Sequence, residues 1–246
     1  ITLNLNSNEI REEGGKFIAL SLNFNSTLQN LHLQENFLND NFAFEIANVL
    51  KNNKSLLLLD INYNVIKERG CSYITETLEE NKNLLTLYIR YNCIQERGSI
   101  HIANSMNNQW NLTTLDISQN DLGIEGSENI SKKLGNNTSL KSLYFSHNNI
   151  DCKGCSFISD CLNFNNTLTM LDLSNNNINT DGAISISKLL STNNNLLSLN
   201  LSYNKINRYA GVEIAKSLNF NTTLTDLNLN INGIGTNWEV KLLQIH

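Results

Sequence analysis

Residues 165–190 read NNTLTMLDLSNNNINTDGAISISKLL, and this stretch settles the architecture of the chain. Within it Leu168, Leu171 and Leu173 precede Asn176, and Ile178 follows it, in the frame L-x-x-L-x-L-x-x-N-x-(I/L). The same frame recurs around Asn8, Asn36, Asn64, Asn92, Asn120, Asn148, Asn176, Asn204 and Asn232, each step 28 residues (36 − 8 = 28) with no insertion. A fixed period of roughly 20–50 residues means stacked units that bury their apolar sides against one another.

The L-x-L part alternates, so it predicts a short strand with one face buried, from Leu3–Leu5 in the first unit to Leu227–Leu229 in the last. The asparagine follows where the chain turns. Its amide carries two donors and an acceptor, which suits the backbone groups that a buried turn leaves unpaired. The nine asparagines therefore read as a structural ladder. Beyond each, Ile18, Ile46, Ile74, Ile102, Ile130, Ile158, Ile186 and Ile214 share one offset, and Leu22, Leu50, Leu78, Met106, Leu134, Leu162, Leu190 and Leu218 another. With small residues such as Ala43, Ala47, Cys71 and Thr75 between them, these mark one face of a helix. Glycines such as Gly70 and Gly182 mark its start, although Phe42 and Ala210 replace them in two units. A second asparagine column (Asn25, Asn53, Asn81, Asn137, Asn165, Asn193, Asn221) predicts a left-handed helix C-cap. Gln109, beside Trp110, interrupts that column and predicts a differently shaped fourth exit turn.

These residues resemble the ribonuclease-inhibitor-like class of leucine-rich repeats, in which a full helix completes each unit. The resemblance covers essentially the whole chain and implies an α/β horseshoe solenoid, its parallel sheet concave and its helices convex. The same class occurs in ribonuclease inhibitor, in nucleotide-binding immune receptors, in Ran GTPase-activating proteins and in tropomodulin-like actin regulators. The resemblance thus implies a non-enzymatic protein-recognition module, the sensor or scaffold region of an intracellular protein. A Ran-type GTPase-activating protein, with an acidic tail after the horseshoe, and a nuclease-inhibitor-like binder are the alternatives. An upstream P-loop ATPase in the full reading frame would favour the receptor type.

The repeat makes residues 1–246 a single domain of about eight units plus partial ends. The chain begins at Ile1 inside a unit and stops at Leu242–His246, about one turn into a helix, which predicts a piece of a longer protein. Net charge is −5, which weighs against nucleic acid or an anionic membrane as partner. No apolar run reaches transmembrane length. Five cysteines without a framework pattern fit a reducing, cytoplasmic setting. Repeated N-x-S/T triplets follow from the Asn-rich composition and several fall in the exit-turn column.

Chemistry-bearing constellations are sparse. Cys152 and Cys155 form a C-x-x-C, but Cys155 takes the small core position of a helix, and no second pair completes a metal site. His32, His101, His147 and His246 occupy unrelated offsets. Asp60, Asp116 and Asp172 share a strand offset but are two units apart, about 10 Å at ordinary strand spacing, too far for a carboxylate dyad. No catalytic residues, metal, cofactor or small-molecule substrate are therefore expected.

A partner would meet the strand positions that alternate away from the core leucines. There Tyr88, Arg90, Asp116 and Tyr144 gather at the centre, with Asp60 beside them and Tyr63, Tyr91 and His147 just past the strands. Tyr and Arg dominate interface energetics, so these eight residues are the candidate protein-binding site, with the aspartates setting charge preference.

Overall fold

The computed structural model describes residues 1–106 and 110–235. Three-residue strands alternate with helices of 10–12 residues. The order is β1 (Thr2–Asn4), α1 (Arg11–Ser21), β2 (Asn30–His32), α2 (Asp40–Leu50), β3 (Leu58–Asp60), α3 (Glu68–Thr77), β4 (Thr86–Tyr88), α4 (Gln95–Ser105), β5 (Thr114–Asp116), α5 (Gly123–Leu134), β6 (Ser142–Tyr144), α6 (Asp151–Leu162), β7 (Met170–Asp172), α7 (Thr180–Leu190), β8 (Ser198–Asn200), α8 (Arg208–Ser217) and β9 (Asp226–Asn228). Among the described residues, nine strands form one parallel sheet in chain order. Register is one unit per strand: Leu31 faces Leu59, which faces Leu87. Each helix supplies the crossover that a parallel pair requires.

The strands lie one residue earlier than the alternation suggested. The inward leucine is their central residue, as in Leu59 and Leu115, and the second apolar position follows the strand. Pairing nevertheless continues beyond them: Leu33 N–H donates to Asp60 O (2.7 Å) and Glu35 N–H to Asn62 O (3.0 Å). The eight isoleucines lie within the helices. Ile46, Ile102, Ile130 and Ile186 are fully buried with Leu31, Leu59 and Leu87 in one continuous core between sheet and helices. The glycines at the helix starts serve close approach: a Cβ on Gly182 would lie 2.7 Å from Ile178 Cγ2 and 3.1 Å from Cys152 Cα in the neighbouring helix.

Asn120 shows how the first asparagine column works. Its Nδ2 donates to Ile89 O (2.9 Å), Ile117 O (3.2 Å) and Ser118 O (3.1 Å), and its Oδ1 accepts from Asn92 N (3.0 Å). One side chain thereby closes its own turn and ties it to the preceding unit. Asn36, Asn64, Asn92, Asn120, Asn148, Asn176 and Asn204 are buried, whereas Asn8, the first rung, is exposed and its side chain donates to Asn6 O alone among the described residues.

The second asparagine column is not a left-handed cap. None of its members has positive φ, and the helices end in right-handed residues such as Leu22, Lys51 and Leu78. The side chains form a second ladder instead. Asn53 Nδ2 donates to Leu22 O (3.0 Å) and Asn25 O (3.1 Å), while its Oδ1 accepts from Ser55 N (3.1 Å) and Leu56 N (2.9 Å). Asn is required because only a carboxamide offers donors to the previous unit and an acceptor to its own turn. Gln109 and residues 242–246 lie outside the described residues. Beside the former, the buried Trp110 Nε1 and Asn137 Nδ2 have no partner among the described residues.

Candidate recognition surface

Along the concave sheet, residues in direct register alternate in chemistry: Asp60, Tyr88, Asp116, Tyr144, Asp172. The parallel register and the fixed 28-residue spacing put them side by side, and none belongs to the apolar core. Asp116 Oδ1 accepts from Ser118 N (2.9 Å) and Asp172 Oδ1 from Ser174 N (2.8 Å), so each carboxylate is oriented by its own turn. Burial raises the Asp116 pKa; the Ser118 hydrogen bonds and Arg90 oppose this, and Asp172 adds to it. Burial also raises the phenol pKa values of Tyr88 and Tyr144, and neighbouring carboxylates push both further. His147 is exposed, and its pKa is lowered by partial desolvation and by Arg90 against the pull of Asp172.

Arg90 is the cation of this surface. Its Nε donates to Gln119 Oε1 (2.7 Å), and its Cζ lies 5.7 Å from the centre of the Tyr63 ring. Tyr63 stacks on Tyr91 (centroids 5.0 Å apart, 25° between planes), and its hydroxyl also donates to Gln119 Oε1 (3.4 Å). Arg90 N–H donates to Asn62 Oδ1 (2.6 Å). The four side chains Tyr63, Arg90, Tyr91 and Gln119 are thus held in place before any partner arrives.

The structure divides the eight candidate residues. Tyr63, Arg90 and Tyr91 form one group, and Tyr88, Asp116 and Tyr144 the adjoining one, which Arg90 links through its charge. His147 borders both. Asp60 stands apart: it is 6% exposed, its Oδ2 lies 3.2 Å from His32 Nδ1, and its Oδ1 accepts from Asn62 N. Two residues escaped the reading of the sequence. Gln119, the shared acceptor, occupies the offset between Tyr91 and His147, where a neutral amide carries no interface signal of its own. Asp172, too far from Asp116 for a dyad, joins the surface through its register with Tyr144.

Tyr63, Tyr91, Gln119, His147 and Tyr203 share a further property. Each precedes a ladder asparagine and has a left-handed backbone, with φ of +53° at Tyr63, +49° at Tyr91 and +56° at Tyr203. Bulky residues disfavour this region by roughly 1–2 kcal/mol. The bond from Tyr63 N–H to Arg90 O (2.8 Å), repeated as Tyr91 N–H to Ser118 O (3.0 Å), holds them there.

Elsewhere the chemistry is quiet. Cys155 is buried and its thiol is pushed up to about 12, chiefly by desolvation, so the C-x-x-C holds a poor nucleophile. All five cysteines are free. Among the described residues no group of three or more His, Cys, Asp or Glu side chains converges, and no helix is long and apolar enough to cross a membrane.

A family model described as "Leucine Rich repeat" matches residues 1–19, 111–131, 136–159, 164–187 and 192–208. The chain is a leucine-rich-repeat protein. Its helical 28-residue unit is that of the ribonuclease-inhibitor-like class, and repeats of this kind form protein–protein interaction modules. Among solved structures it is similar to "Leiomodin-1 Actin-Binding Site 2 (ABS2)", with a TM-score of 0.50 and 21% identity over 61% of this chain and 86% of that one. That likeness concerns the fold. No curated protein matches the sequence.

Proposed function

We propose that this leucine-rich-repeat domain, residues 1–246, is a non-enzymatic recognition module of a larger cytoplasmic protein, serving it as sensor or scaffold. It binds another protein through the centre of the concave sheet. The observation that carries the reading is the preassembled Tyr63–Arg90–Tyr91–Gln119 cluster beside Tyr88, Asp116 and Tyr144. Rigid aromatic rings and a fixed guanidinium lose little side-chain freedom on binding, which is what an interface anchor needs. The five free thiols support a reducing compartment. Asp60, bonded to His32, contributes to the surface as a support, and Asp116 with Asp172 gives the sheet its negative side.

The test is capture of a partner by the domain followed by titration with variants. Truncating an anchor typically weakens binding by about 2 kcal/mol or more, so Tyr88→Ala with Tyr144→Ala should abolish detectable association while the circular dichroism stays unchanged. The control changes Lys132 and Glu213 on the convex helices. Loss of the partner by the control, and retention by the tyrosine variant, would place the working face on the helices.

A further inference from the structure

A groove of about 450 Å³ opens where the loops after β2 and β3 lead into α2 and α3, away from the concave sheet. Its apolar wall is Phe44, Val65 and Tyr73, of which Phe44 is 46% and Val65 41% exposed. Tyr73 meets Phe44 edge to face at 5.2 Å. Arg69 lies over the Tyr73 ring, its Cζ 5.6 Å from the centroid, and donates from Nε to the Tyr73 hydroxyl (2.6 Å). Ring and hydroxyl together fix the guanidinium plane. They leave its two terminal nitrogens as a fork, the geometry that takes a carboxylate with two parallel hydrogen bonds.

The charged side chains that line the groove are Asp40, Lys67 and Arg69, two cations against one carboxylate. Lys67 and Arg69 line it, and neither pairs with an acidic side chain among the described residues. The carboxylates nearby are committed to other donors. Asp40 Oδ1 accepts from the backbone N–H groups of Lys67 (2.8 Å) and Gly70 (3.0 Å), capping α3 from the preceding unit. Glu12 accepts from Nδ2 of both Asn39 (2.6 Å) and Asn41 (2.7 Å). Glu45 pairs with Lys16 at 3.6 Å, and Glu68 approaches His101 at 3.8 Å. Two cations with free donors therefore flank exposed apolar surface.

We propose that this groove binds an acidic peptide segment of a partner protein. A Glu or Asp side chain of that segment sits on the Arg69 fork with Lys67 beside it, and an adjacent bulky aliphatic side chain packs on Phe44 and Val65. Nucleic acid fits less well: it would need a longer track of cations and gains little from an aliphatic contact. The groove lies off the concave sheet, so this proposal and the concave one stand or fall separately.

The probe is a fluorescein-labelled, end-capped heptapeptide, Gly-Ser-Glu-Leu-Glu-Ser-Gly. Two twins accompany it, one with both Glu replaced by Gln and one with Leu replaced by Ala. Fluorescence anisotropy should give the parent peptide a Kd of about 0.1 mM or tighter, and each twin a Kd weaker by about tenfold or more. Arg69→Lys keeps the charge but removes both the fork and its anchor on Tyr73, and should weaken the parent peptide about tenfold. Tyr73→Phe removes only the hydroxyl and should weaken it about threefold. Tyr88→Ala should bind the peptide like the unaltered domain. No binding at about 1 mM peptide, equal binding of either twin, or an Arg69→Lys variant that binds normally with unchanged circular dichroism would overturn the proposal.

Discussion

The turn after β4 and the turn after β7 share one backbone and present different surfaces. Tyr91 and Asn175 hold the same place, at φ +49° and +57°, and each donates its N–H to the next unit, to Ser118 O and Ser202 O, both at 3.0 Å. The residues that follow, Asn92 and Asn176, each place Nδ2 on the preceding unit, at Ile61 O (3.1 Å) and Phe145 O (2.9 Å). Asn suits this left-handed conformation, and Tyr does not. The ladder and the strand pairing therefore hold the turn, whatever side chain occupies it. That freedom lets the turns after β3 and β4 carry the stacked Tyr63 and Tyr91 with Arg90, where the turn after β7 carries Ser174 and Asn175.

The largest effect that would break this comparison belongs to the ladder itself. Asn120→Ala removes three donated hydrogen bonds and one accepted one in a buried turn, and should lower stability by about 2–3 kcal/mol in denaturant melts. Asn8→Ala, at the exposed first rung, should change it by less than about 0.5 kcal/mol. Equal midpoints for the two would remove the ladder argument.

Asn177→Ala sharpens the contrast. The exposed side chain bonds only to Asn149 Oδ1 (3.3 Å), which by itself predicts a silent change. Its φ of +59° corrects that expectation, because Ala disfavours this region by roughly 1 kcal/mol. Asn177→Gly should then be milder than Asn177→Ala. The reverse exchange, Tyr203→Asn, should stabilise by about 0.5 kcal/mol, since Tyr203 is 54% exposed and sits at φ +56°. Thermal melts of both series test whether the strain is real.

The smallest effect depends on pH. Burial raises the Asp116 pKa in the folded state above the ordinary aspartate range, so folding favours its protonated form. That contribution to stability is complete below the unfolded pKa and is lost as pH rises through the folded one. Asp116→Asn keeps an oxygen for the Ser118 N–H and carries no charge. It should match the unaltered domain near pH 3 and exceed it slightly at pH 7, as read from denaturant midpoints at both values. A lower midpoint at pH 7 would mean that the carboxylate gains more from Arg90 than burial takes away.

The fold was legible because its information is periodic. Leu59, Leu87 and Leu115 recur at one interval, and so do Ile74, Ile102 and Ile130, so strand, helix and stacking follow from spacing. The candidate surface was legible in part for the same reason: register puts Tyr88 beside Asp116 and Asp116 beside Tyr144. Periodicity says nothing about what a side chain does once placed. It did not show that Asp60 turns to His32, that Gln119 gathers Arg90 and Tyr63, or that the second asparagine column bridges units.

By itself, the sequence determined the unit, its handoff from strand to helix, and the residues that would share a face. Those depend on local pattern and on the chain's exact repetition, which every unit reports again. Only the tertiary structure decided which partners those residues take. Arg69 on Tyr73 lies within one helix, but Asp40 on α3 and Gln119 under Arg90 cross between units, where rotamer, burial and competing donors choose the bond. The physical reason is that a repeat specifies backbone position many times over, whereas each side-chain contact is made once.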